Sequence, residues 1–204
     1  MRFRQILVAS VLVAALGLTG CSAAASTATT ETPVPSASKT STATAAPDPT
    51  AQLPELPGVT PGTPEGWQQV SIGQLAFATP VGFTFDQSTA GDGAGGKVDY
   101  YSDKSNPGQA GSVPAQLNAA LHAKAQIWPL AQQGFTAYRL TIPGARQAAL
   151  VFGSQKIEAS ETAVSQVYVL SEAGTYYTLT LTLPESQDAA LQTARQLVGS
   201  ISVQ

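Results

Sequence analysis

The 204-residue chain carries one cysteine, one histidine and few charges, and each shortage removes a class of chemistry. A lone Cys21 cannot close an internal disulfide, which fits an exported protein that is stable without one. With His122 as the only imidazole and no second thiol, a zinc site would rest on carboxylates, which suit zinc poorly. No Asp-rich calcium loop and no G-x-S-x-G nucleophile elbow occurs. Lysine and arginine never cluster, so the concentrated basic face that nucleic acid requires is missing, and so is a polybasic membrane contact. Long apolar runs are also scarce. The longest, Ile6–Leu18, is thirteen residues and makes about 20 Å of helix, short of the ~30 Å hydrocarbon core.

That short run sits in an informative place. Arg2 and Arg4 precede it, and Leu18-Thr19-Gly20-Cys21 closes it. The block resembles the lipobox of bacterial lipoproteins. The resemblance implies cleavage before Cys21, a diacylglyceryl group on its thiol, and a palmitate-type acyl chain on the new N-terminus. Two or three acyl chains at about 0.8 kcal/mol per buried methylene anchor a protein stably. Two other readings stay open: a secretory signal cut near Ala23-Ala24-Ala25, and a retained membrane helix. Without Arg2 and Arg4, the 10 basic residues become 8 against 13 acidic, a net charge of −5.

Three regions are expected: a signal peptide over 1–20, lipidated Cys21 with a disordered tether over 21–66, and one domain over 67–204. The tether is Ser, Thr, Ala and Pro, with no aromatic residue and no repeating apolar face to offset the entropy of ordering. Prolines 33, 35, 47, 49, 54, 57, 61 and 64 favour extended backbone. It reads as a stalk or as a plain spacer. The Ala/Thr/Pro richness suits a GC-rich actinobacterial source.

From Trp67 onward aromatic residues appear, prolines thin out, and 138 residues suffice for a buried core. Short strands are expected at 68–72, 75–79, 83–85 and 97–102. Pro114 with Leu117, Ala120, Leu121, Ile127 and Trp128 predicts a helix over 114–128, ended by Pro129. Two hairpins follow, 135–142 with 147–157 and 163–170 with 175–183. Tyr177, Leu179, Leu181 and Leu183 share one face of the last strand, and Tyr176, Thr178, Thr180 and Thr182 the other. Ser186 can cap a helix with an Ala190, Leu191, Ala194, Leu197 and Val198 stripe that Gly199 ends, before a final strand over 200–203. The fold class is therefore α+β: a single, mostly antiparallel sheet with flanking helices.

Trp67, the Ala76–Phe83 segment, the Ile142–Ala148 turn and the terminal Ser200–Val203 together resemble the PsbP-like fold, an α/β/α sandwich shared with LpqN-like actinobacterial lipoproteins. The resemblance covers roughly 67–204. It implies a binding or accessory protein, and it brings no shared active site.

Candidate chemistry is sparse. Gly91–Gly96 contains G-x-G-x-x-G, but strand-like Lys97–Tyr101 follows it where a dinucleotide site needs a helix. His122 reads as a solvated side chain on the polar flank of the 114–128 helix. The acidic pairs Asp99/Asp103 and Glu158/Glu161 read as solvated loop or strand-end groups. Adjacent tyrosines on a strand face opposite ways, so one of each pair Tyr100/Tyr101 and Tyr176/Tyr177 leaves the aliphatic core. Tyr100, Tyr101, Tyr176, Thr178 and Thr180 are the candidate ligand-binding residues, facing a glycan, lipid or protein. No catalytic residue, metal or cofactor is expected. These readings converge on a lipid-anchored cell-membrane protein facing the extracytoplasmic side, with an envelope hydrolase acting on cell-wall or lipid substrates as the alternative.

Overall fold

The computed structural model describes residues 48–105, 113–157 and 160–204. The expected signal peptide, Cys21 and the tether as far as residue 47 lie outside the described residues. Among the described residues ten strands and one helix follow in the order β1 (Gln68–Ile72), β2 (Leu75–Thr79), β3 (Phe83–Ala90), β4 (Lys97–Asp103), β5 (Gln116–His122), β6 (Phe135–Arg139), β7 (Ala145–Ile157), β8 (Ser160–Ser171), β9 (Tyr176–Leu183), α1 (Gln187–Gly199) and β10 (Ser202–Val203).

The α+β class holds, with two corrections. Where one sheet was expected there are two. A seven-stranded sheet runs β3-β4-β5-β9-β8-β7-β6, and a three-stranded sheet runs β1-β2-β10. All pairings between strands are antiparallel. Where flanking helices were expected, the described residues contain only α1. The helix expected over 114–128 is instead β5 followed by an irregular crossing segment, 123–134. Leu117, Ala119 and Leu121 recur every second residue as well as Leu117, Ala120 and Leu121 recur at helical spacing. What decides is that β4 and β9 pair with β5 along most of its length. Alanine at both 119 and 120 blurs the two periods, and the ladders select the strand.

The core lies between the large sheet and a second layer made of α1 and the small sheet. Leu117, Ala119, Tyr177, Leu179, Leu181, Val167, Val169 and Leu150 face Ile72, Leu75, Phe77, Ala190, Ala194 and Leu197, all buried. Each fully buried large aliphatic side chain contributes about 1.5–3 kcal/mol. The alternation in β9 is read directly in its burial, with every second residue buried.

Helix α1 starts as the sequence suggests. Ser186 is extended, and its side chain accepts from the Ala189 N–H at 3.5 Å, while Asp188 meets the positive end of the helix dipole. Its C-terminal end is bolted to the small sheet. Ser200 Oγ donates to the Leu197 carbonyl at 2.7 Å and accepts from the Ala78 N–H of β2 at 3.0 Å.

Residues 48–66, assigned to the tether on composition, are packed on the domain, so that boundary lies further towards the N-terminus. Leu56 joins the core, and the Leu56 and Arg139 N–H groups bond the Arg139 and Pro54 carbonyls at 3.3 and 2.8 Å. The strap 58–65 then runs beside the end of α1. The Gly62 N–H donates to the Gly199 carbonyl at 2.8 Å, and a Cβ on Gly199 would lie 2.1 Å from the Thr60 carbonyl oxygen. Composition missed this because proline-rich backbone needs no periodic face of its own when a neighbour's carbonyls and apolar side chains hold it.

Candidate functional site

The large sheet has two unlike faces. Its inner face is the apolar core; its outer face carries the alternate residues of the same strands. Because β9, β8 and β7 lie between β5 and β6, segment 123–134 must cross three strands. It does so over the outer face, where the Trp128 ring stacks on Tyr168 of β8 at 5.8 Å between centroids and 28° between planes. Tyr168 is buried there, which raises the pKa of its hydroxyl by desolvation. Ile127, the neighbour of Trp128, is almost wholly exposed.

Beside this crossing the outer face stays half-open. Strand register sets Tyr100 opposite Asn118, Asn118 opposite Thr180, and Thr180 opposite Gln166. Four strands at ~4.8 Å spacing make a row about 14 Å long. In the two rows beside it Thr178 lies opposite Tyr168, and His122 opposite Tyr176. All of these except Tyr168 are half-buried. Tyr168 donates its hydroxyl to Gln166 Oε1 at 2.8 Å. Asn118 Oδ1 is buried and accepts from no described residue. Leaving such an acceptor unsatisfied costs about 1–3 kcal/mol, so this row has unfilled hydrogen-bonding capacity.

Of the five residues expected to bind a ligand, four share this outer face: Tyr100, Tyr176, Thr178 and Thr180. Tyr101 points the other way, into the core, edge-on to Phe77 at 6.1 Å and to Phe85 at 5.7 Å. Burial, with Asp99 close by, raises its pKa. The period of two that puts Tyr100 outside puts Tyr101 inside.

His122 departs from its expected place on a solvated helix flank. It ends β5, with Nε2 at 2.9 Å from Thr178 Oγ1 and Nδ1 at 3.3 Å from Asp92 Oδ2. Asp92 comes from the Gly91–Gly96 turn between β3 and β4, so no helix follows that glycine run. The same carboxylate accepts from the Ala123 N–H at 3.0 Å and Gln126 Nε2 at 2.6 Å. The Ala123 N–H, helped by His122, holds the Asp92 carboxyl below its ordinary value of 3.8 against some desolvation. The glycines make this possible. A Cβ on Gly96 would lie 2.8 Å from Asp92 Oδ1 and 2.9 Å from its backbone nitrogen. Residues about thirty apart in sequence thus form one latch, tying the hairpin tip to the start of the crossing segment. A single Asp among glycines and a single His were the only hints.

The order carboxylate–imidazole–hydroxyl is the order hydrolases use, but the backbone around Thr178 is already committed. Thr178 is set opposite both Ala120 and Tyr168, in the middle of a paired strand. An oxyanion needs free N–H groups, and a residue inside two ladders has none to give. Asp99 and Asp103 have separate partners: Lys97 Nζ at 2.9 Å from Asp99 Oδ2, and the Ser105 side chain on Asp103 Oδ1 at 2.6 Å. Glu158 lies outside the described residues, and Glu161 accepts from Ser154 Oγ at 2.7 Å. Among the described residues no three His, Cys, Asp or Glu side chains gather as a metal site. No protein-family model matches this chain, and no curated protein does either.

Proposed function

We propose that this is an exported, lipid-anchored protein of the cell envelope whose domain is a binding module, with the half-open outer face of the large sheet as its recognition surface. The observation that carries the reading is the Tyr100–Asn118–Thr180–Gln166 row with its unsatisfied Asn118 oxygen. Amide and hydroxyl groups both donate and accept, which matches sugar hydroxyls, and the row holds no formal charge. A tyrosine at the end of the row offers a flat ring against a pyranose face. A neutral glycan of one to three sugar units matches the ~14 Å length.

The Leu18–Cys21 lipobox supports the address, and the resemblance to the PsbP-like fold supports a binding rather than a catalytic role. Among the described residues no helix is long and apolar enough to cross a membrane. The domain test is titration of the full chain with neutral envelope oligosaccharides, beside Asn118→Ala and Tyr100→Ala. Each substitution is expected to weaken binding about tenfold, the equivalent of 1.4 kcal/mol, with unfolding midpoints little changed. Binding that ignores both substitutions ends the assignment to this face. The anchor test is Cys21→Ser, which should abolish labelling by a fatty-acid analogue; labelling that persists refutes lipidation at Cys21.

An envelope hydrolase is the second reading, favoured by the Asp92–His122–Thr178 hydrogen bonds alone. Cell-wall or lipid ester turnover that disappears in both His122→Ala and Thr178→Val would establish it over the binding module.

A further inference from the structure

On the far side of the domain from that row, the strap 58–65 and helix α1 border an open groove of about 570 Å³, lined among others by Thr60, Thr63, Glu65, Gln192, Arg195 and Gln196. The size falls within the usual range for small-molecule sites, about 300–1,000 Å³. Gln192, Arg195 and Gln196 share one helix face at three- and four-residue spacing. Arg195 runs beneath Gly58, where a Cβ would lie 3.8 Å from both its Cδ and Nε. Its Nε is buried with no acceptor, and no described carboxylate lies within ion-pair distance of it. A buried Nε–H without a partner is costly in a folded protein, and a planar anion that takes it together with a neighbouring guanidinium N–H forms two parallel bonds.

We propose that this groove binds the free C-terminal carboxylate of a short peptide, with Arg195 as the carboxylate fork. Gln192 and Gln196 flank the fork with amides that complement peptide N–H and C=O groups. Glu65, in the same groove but unpaired with Arg195, repels a second negative charge and suits a ligand ammonium or amide donor. A dianion such as phosphate therefore fits less well than a single carboxylate. The site is independent of the outer sheet face. Its wall is the stretch that composition had assigned to the tether.

The test uses the ¹⁵N-labelled full chain, following the Arg195 Nε–H resonance during titration with the dipeptide Ala-Ala as free acid, with its C-terminal amide, and with inorganic phosphate. The free acid is expected to shift that resonance, the amide to bind at least about tenfold more weakly, and Arg195→Lys to lose a similar factor. Equal binding of acid and amide, phosphate binding tighter than the acid, or a resonance unmoved by millimolar acid each overturns the proposal. The acid–amide comparison needs no variant, so it stands even if Arg195→Lys folds poorly.

Discussion

The two faces of the seven-stranded sheet are built from alternating residues of the same strands, yet they are held by different forces. The inner face is closed by α1 and the small sheet over Leu117, Leu179 and Leu181, all essentially inaccessible to solvent. The outer face is crossed by one irregular segment that stacks Trp128 on Tyr168 and leaves a polar row half-open beside it. Apolar side chains dominate the first face, where the few polar ones, Ser165 and Asp99, are buried among them. Hydrogen-bonding side chains on the second can be kept because they are not needed for the core. The apolar core and the polar row are thus separated by one residue of sequence and a single β-strand thickness.

The sharpest way to break that contrast is a pair of neighbours in β9. Leu179→Ala is expected to cost about 2–5 kcal/mol in denaturant unfolding, through lost burial and a cavity. Thr180→Ala should stay within about 0.5 kcal/mol. Comparable losses would show that the outer face is structural after all. Next in size is Gly199→Ala. Its methyl collides with the Thr60 carbonyl, so a destabilisation of about 1–3 kcal/mol is expected, with new protease cutting in 58–65. Stability unchanged and the strap still protected would mean that it is not seated against the helix.

Smaller again is Trp128→Ala, which removes the ring stack for about 0.5–1.5 kcal/mol beyond its burial and should diminish the near-ultraviolet dichroism of Tyr168. An unaltered spectrum would detach the crossing segment from the sheet. The mildest effect is acid sensitivity through Asp92. Its carboxyl is held below 3.8 in the folded state, so its stabilisation is complete above the ordinary carboxylate value and is lost as pH falls through the lower folded value. Asp86, held low first by its Lys104 hydrogen bond, behaves the same way. Asp92→Asn should therefore flatten the stability profile below about pH 4 while leaving its neutral region nearly flat. A profile as steep as the wild type would remove Asp92 from the latch.

Legibility in the sequence followed the clarity of each pattern. In β9 the tyrosine–leucine and threonine positions alternate without interruption, and α1 has its cap and stripe, so both elements were readable residue by residue. In β5 two adjacent alanines satisfied both periods, and a real strand read as a helix. The outer face was half visible: the hydroxyls of Tyr100, Tyr176, Thr178 and Thr180 were, but Asn118 and Gln166 joined them only through register. The Asp92–His122 contact was invisible, since nothing local relates a glycine turn to the end of a strand thirty residues later.

By itself the sequence determined the α+β class, the polarity of the alternating strand β9 and the capped final helix. These depend on neighbours within a few residues, where side-chain spacing and backbone preference act directly. Tertiary structure alone decided which strand lies beside which, that the 123–134 segment crosses the outer face, and that a proline-rich stretch folds back to wall a groove around Arg195. Those outcomes depend on pairing and packing between distant segments, whose partners become defined only when the two sheets and the helix share one core.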